Sequence, residues 1–129
     1  MTNHELFRIP NITPLQEFVD EYTEIVQKQP NRETIQKKLL ILLNTLSSTK
    51  NISALCKSPN FEKLTGTTVS LYSMKIKTDC NIRIIFSCER DGSIILLMFE
   101  EKAGKRKTNY SRVIPIAEKR LKAARGGRP

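Results

Sequence analysis

Two apolar stretches, Ile82–Cys88 and Ile94–Phe99, stand on either side of Asp91-Gly92. Short runs rich in Ile, Phe and Leu read as strands, and Asp-Gly between them is the strongest hairpin signal in the chain. A third run, Leu71–Lys77, precedes them across the weaker turn Thr78-Asp79-Cys80-Asn81. Three consecutive strands with short turns form an antiparallel meander. If Asp91-Gly92 closes a two-residue turn, strand residues pair when their numbers sum to 183. Arg83 then lies opposite Glu100 and Ile85 opposite Met98. Side chains alternate between faces, so Arg83 shares its face with Ile85 and Ser87.

Before Gly66 the apolar period is helical. Thr13-Pro14-Leu15-Gln16 reads as a helix start, with a capping Thr and Pro at the first helical position. Leu15, Phe18, Val19, Tyr22, Ile25 and Val26 form one stripe, ended by Pro30. Asn31 is placed to cap a second helix, with Ile35, Leu39, Leu40, Leu42, Leu43 and Leu46 as its stripe and Ser47-Ser48-Thr49 as its stop. The two make a helical hairpin able to cover one face of the meander. Glu5–Ile9 reads as a short first strand, Pro115–Ala124 as a last helix and 125–129 as a frayed end. Residues 50–70 show no regular period. The 129 residues make a single α+β domain: an N-terminal strand and a helical hairpin packed on an antiparallel β-meander, then a short C-terminal helix.

Charge is distributed unevenly. Residues 1–101 carry 12 Lys or Arg against 12 Asp or Glu, whereas 102–129 carry ten against Glu118 alone. The whole net charge of +9 therefore sits in the C-terminal segment, which favours a polyanionic partner. Cys56, Cys80 and Cys88 form no CxxC and have no histidine near them in sequence, which argues against zinc and a disulfide framework and fits a reducing cytosol. No apolar stretch approaches the ~20 residues that span a bilayer. The expected location is cytoplasmic, with no membrane, cofactor, metal or small-molecule ligand.

An arginine within NIRIIF is either paired at the sheet rim with Glu100 or held for a ligand. Lys75 and Lys77 share one face of the preceding strand. An odd link such as Thr78–Cys80 puts both on the face of Arg83, while a link of two turns them away. The basic run Lys102, Lys105, Arg106 and Lys107 leaves the third strand beside Arg83. These groups suit one reaction on RNA. A base takes the 2′-hydroxyl proton, a guanidinium stabilises the pentavalent transition state, and an acid protects the leaving 5′-oxygen. Lysine serves as base when neighbouring cations and desolvation lower its pKa. Tyr110 offers a face for an unstacked base. The pattern holds no Ser/His/Asp arrangement, no phosphate-binding Gly loop and no paired carboxylates on one face.

The order of elements, with FEKLTGT at 61–67, LYSMKI at 71–76, NIRIIF at 81–86, DGSIILLMFEEK at 91–102 and IAEKRL at 116–121, resembles the RelE/HigB-like toxins of bacterial type II toxin–antitoxin systems. The resemblance covers most of 31–124. It implies a RelE-like fold and a ribosome-dependent mRNA endonuclease that needs no metal and is neutralised by a cognate antitoxin. Arg83 matches the family's strand arginine, which supports the transition state. Lys75 and Lys77 fall near its strand lysines, which act in proton abstraction or phosphate binding. GKR at 104–106 resembles the segment bearing a second catalytic arginine, with Arg106 the best match and Lys105 or Lys102 as alternatives. Tyr110 stands for the late tyrosine. From their charge, and apart from the resemblance, Lys102, Lys105, Lys107 and Arg112 are read with Tyr110 as RNA contacts. Two other readings stand beside it: a non-catalytic toxin like the gyrase-inhibiting ParE branch, and a basic nucleic-acid-binding module.

Overall fold

The computed structural model describes residues 3–78, 81–101 and 109–126. The elements are α1 (Asn3–Leu6), β1 (Ile12–Pro14), α2 (Gln16–Val26), α3 (Arg32–Ser48), α4 (Ile52–Leu55), β2 (Phe61–Lys63), β3 (Tyr72–Lys77), β4 (Asn81–Glu89), β5 (Gly92–Glu101) and α5 (Ile114–Gly126). The sheet runs β1-β5-β4-β3-β2, with β1 parallel to β5 and every other pair antiparallel. This is the expected α+β arrangement. The irregular stretch 50–70 adds two short elements that the sequence did not announce, α4 and the edge strand β2.

The stripes of the helical hairpin meet the sheet as their spacing predicts, except for Leu15, which precedes α2 and packs on the other face of the sheet with the cluster of Leu96 and Phe99. Phe18, Tyr22 and Val26 from α2 and Ile35, Leu39, Leu42, Leu43 and Leu46 from α3 are buried. They share a core with Ile82, Ile84, Phe86, Ile95 and Met98. Each such side chain contributes roughly 1.5–3 kcal/mol when fully buried.

The N-terminal segment departs from expectation. Glu5–Ile9 is not a strand, because Leu6 and Phe7 are adjacent and both buried in the same core, which alternation forbids. Phe7 packs edge-on against Phe18 and Tyr22 with ring centroids 5.3 and 5.1 Å away. The first strand is instead Ile12–Pro14, opposite Ser93–Ile95. Pro14 fits there because β1 is an edge strand with a partner on one side only. Thr13 is thus occupied in strand pairing, and α2 begins after Leu15, whose N–H donates to Ile95 O at 3.0 Å. Asn31 does take the N-cap position of α3, but its side chain makes no capping hydrogen bond.

The hairpin is also shifted. Arg90-Asp91 form its turn, since Glu89 pairs with Gly92 and the register runs from there to Phe86–Ile95. A β-bulge follows. Leu96 has no partner on β4, Ile85 pairs with Leu97, Ile84 with Met98 and Arg83 with Phe99 rather than Glu100. The bulge reverses the expected parity of β5 beyond it. Leu96, Leu97 and Phe99 all join the second core, while Met98 joins the first. Gly92 is used for close approach rather than for the turn. Its φ is +144°, and a Cβ there would lie 2.4 Å from Asn11 O. Asn11 itself has φ 65°, and its carbonyl accepts from Ser93 N–H at 2.8 Å.

The second face of the sheet carries α5, whose Ala117 and Leu121 pack with Val113, Ile85, Ile94, Leu96 and Leu97. The helix continues past the expected end. Arg125, placed by the sequence in a frayed tail, is helical and grips Glu89 with two hydrogen bonds of 2.8 and 2.9 Å. Arg120 reaches around the sheet to α2. Its guanidinium donates to both oxygens of Glu21 at 2.9 and 3.0 Å and to Leu96 O at 3.0 Å. Glu21 Oε1 in turn accepts from Met98 N–H at 3.1 Å. Among the described residues no helix is long and apolar enough to cross a membrane. Cys56 and Cys88 are half-buried free thiols beside the first core, and burial raises both pKa values, while Cys80 lies outside the described residues.

Gly92→Ala should lower stability by about 2 kcal/mol or more, since the positive φ and the Asn11 backbone both oppose a Cβ. Chemical denaturation checks this, and a neutral change would mean that the 11–12 segment moves aside freely. Arg120→Met should cost about 2 kcal/mol by leaving Glu21 and the Leu96 carbonyl without their partner. Hydrogen exchange at the Met98 amide should quicken in that variant.

Candidate functional site

Helix α5 covers the second face of the sheet only in part. Beyond it β2, β3 and β4 leave a cleft of about 680 Å³. Strand register decides which side chains enter it. Glu62 pairs with Ser73, Ser73 with Ile85, and Lys75 with Arg83, so all share one face. Lys77 pairs with Asn81, so the link between β3 and β4 has three residues, 78–80. This is the odd link that places both lysines on the face of Arg83. Tyr110, just before α5, forms the remaining wall.

Arg83 lies between two carboxylates. Its Nε donates to Glu101 Oε1 at 3.2 Å, and one terminal nitrogen lies 3.7 Å from Glu62 Oε1. The two differ in setting: the Glu101 side chain is 8% exposed and that of Glu62 50%. The rim pairing expected for Arg83 therefore exists, but with Glu101 and not Glu100. The bulge accounts for it, since Phe99 now faces Arg83 and Glu101 follows on the same face. Glu100 points to the opposite side and accepts from Gln29 Nε2 at 3.1 Å.

Tyr110 is fixed at both ends. Its hydroxyl donates to Glu62 Oε1 and lies 3.1 Å from Ser73 Oγ. Its ring stands edge-on to Phe99 at 5.9 Å. Burial, and then the bond to the Glu62 carboxylate, push the phenol up to about 12. At neutral pH it is a protonated donor aimed at the guanidinium side of the cleft. The sequence offered this residue as a stacking surface, and the structure turns its hydroxyl inward.

Of the residues singled out from sequence, Lys75, Arg83 and Tyr110 come together in the cleft. Lys77 shares the face but is exposed at the strand end and lines a neighbouring groove with Lys38, which donates to its carbonyl at 2.8 Å. Arg112 is exposed and outside the cleft lining. Lys102, Lys105, Arg106 and Lys107 lie outside the described residues. Glu62, Glu101 and Ser73 were missed. The expectation that no two carboxylates meet on one face is corrected by Glu62 and Glu101, which flank Arg83. A three-residue strand carries too little alternation to announce Glu62, and a bulge hides the face of Glu101.

The arrangement offers an anion two cations on adjacent strands, Lys75 and Arg83, with a hydroxyl donor beside them. The sharing of Arg83 between carboxylates sets its direction and limits its reach. No family model, curated protein or solved structure matches the chain.

Tyr110 gives the cleft a pH signature. Because the folded phenol holds its proton above the ordinary value of 10.0, its stabilising contribution is complete below pH 10 and is lost as pH rises toward about 12. Tyr22 and Tyr72, both raised by burial, share that slope. Tyr110→Phe should therefore flatten the fall in stability across this window relative to the unaltered chain, as read by urea denaturation. Equal slopes would mean that Tyr110 titrates like a free tyrosine.

Proposed function

We propose that the chain is a toxin of the RelE/HigB type, an endoribonuclease that cuts mRNA in the cytoplasm at the ribosome and is held in check by a cognate antitoxin. The observation that carries the reading is the direct pairing of Lys75 with Arg83 on the open face of the sheet, with the Tyr110 hydroxyl in the same cleft. The resemblance of the strand motifs to that family supports it, as does the C-terminal excess of positive charge.

In this reading the scissile phosphate of a single RNA strand lies over Arg83. Lys75 takes the 2′-hydroxyl proton, and the 2′-oxygen attacks phosphorus. The bond to the 5′-oxygen breaks, leaving a 2′,3′-cyclic phosphate and a 5′-hydroxyl. The proton for the departing oxygen comes from Tyr110, whose raised pKa keeps it charged with that proton until an alkoxide develops. Arg83 stabilises the extra charge on the phosphorane, and Glu101 holds the guanidinium in place for it. Arg106 is the proposed second catalytic arginine, and Lys102, Lys105, Lys107 and Arg112 are the proposed contacts to the flanking RNA backbone.

A non-catalytic basic binding module is the second reading, and the double carboxylate clamp on Arg83 is what favours it. Expression of the chain followed by mapping of mRNA 5′ ends separates the two. New ends bearing 5′-hydroxyls should appear and growth should stop. Arg83→Ala should lower cleavage by ~10²–10³, as loss of comparable charge-stabilising donors does. Growth arrest that persists in Arg83→Ala at equal soluble expression would end the catalytic assignment.

A further inference from the structure

The two carboxylates on Arg83 are not equivalent, and the difference suggests how the cleft is kept while empty of substrate. Glu101 is nearly buried and bonds Nε, the nitrogen closest to the backbone. Glu62 sits on β2, an edge strand of three residues, with half of its side chain exposed. It contacts a terminal nitrogen at 3.7 Å, beyond hydrogen-bond range, and accepts a hydrogen bond from the Tyr110 hydroxyl instead. A carboxylate there presents anionic oxygen to a guanidinium and a phenol at once. That is the pattern of donors a phosphodiester oxygen would need.

We infer that Glu62 is a built-in stand-in for the substrate phosphate, occupying the anion position between Arg83 and Tyr110 until an RNA phosphodiester displaces it. This rests on the reading of the cleft as an RNA site and adds its regulation. Displacement is mechanically simple. Glu62 is on the outer edge of the sheet, so its side chain swings to solvent without disturbing a core, while Glu101 keeps the guanidinium oriented. Exposed ion pairs are weak enough to exchange for a charge-assisted bidentate phosphate contact. The cost is borne by every binding event, so the native chain binds RNA more weakly than its cations alone would allow. Any partner that pulls β2 outward would strengthen RNA binding, and any that holds Glu62 on Arg83 would weaken it.

The test uses the full chain and a fluorescein-labelled single-stranded 2′-O-methyl RNA, which cannot be cleaved through its 2′-oxygen, with affinity read by anisotropy. Glu62→Gln should tighten binding by about threefold or more, within the range an exposed ion pair supplies. Glu24→Gln, which removes an exposed acid on α2, is the control for net charge and should change affinity less. The gain should vanish in an Arg83→Gln/Glu101→Gln background, a pair chosen because it removes the guanidinium together with the nearly buried carboxylate that it bonds. Inorganic phosphate should compete more effectively against RNA in Glu62→Gln than in the unaltered chain. A gain that survives in the Arg83→Gln/Glu101→Gln background, or that Glu24→Gln equals, would overturn the inference, because it would then reflect bulk charge. Weaker or unchanged binding in Glu62→Gln would overturn it as well. Failure of the RNA-site reading itself looks different: Arg83→Gln/Glu101→Gln and Lys75→Gln would then leave the affinity of the unaltered chain unchanged.

Discussion

Strand β5 has a neighbour along only part of one edge. The parallel partner β1 ends at Pro14, opposite Ile95, while β5 continues to Glu101. The backbone groups past that point need other partners, since a buried unsatisfied group costs about 1–3 kcal/mol. Two side chains supply them. Glu21 accepts from Met98 N–H, Arg120 donates to the Leu96 carbonyl, and the two bind each other. Because Glu21 comes from α2 and Arg120 from α5, the same contacts tie the helices of opposite faces to one strand. The position of α5 follows from this, and with it the position of Tyr110, which precedes the helix and closes the cleft.

The bulge at Leu96 belongs to the same arrangement. It puts Leu96 and Leu97 together under α5 and sends Met98 to the other core. It also exchanges the roles of two adjacent glutamates. In a regular hairpin Glu100 would face Arg83 and Glu101 would face the helical hairpin. One unpaired residue reverses both, so a change made for packing determines the electrostatics several residues away.

Much of the fold was legible because long periodic segments repeat their signal. The stripes from Phe18 to Val26 and Ile35 to Leu46, and the alternation in β3 and β4, each rest on several residues that agree. The failures have a common cause. β1 and β2 have three residues each, too few for a period to show. Thr13-Pro14 and Asp91-Gly92 look like local cap and turn signals, yet Pro14 serves an edge strand and Gly92 admits the backbone of Asn11. The site was legible to the same degree. Lys75 and Arg83 needed only the parity of one short link, whereas Glu62 and Glu101 depended on a strand and a bulge that leave no trace in composition.

Glu21 and Arg120 are separated by 99 positions along the chain. The helical hairpin and the meander are built from neighbours in sequence and can assemble as each piece is synthesised, but the clasp between α2 and α5 must wait until Arg120 has been made. A nascent chain that has reached β5 already displays Lys75 and Arg83 on an open sheet, without Tyr110 and without the helix that carries the cleft wall into place. Under the nuclease reading, interrupted translation would yield products with the cations of the site and without the wall that Tyr110 forms. Competence would arrive all at once, as α5 docks.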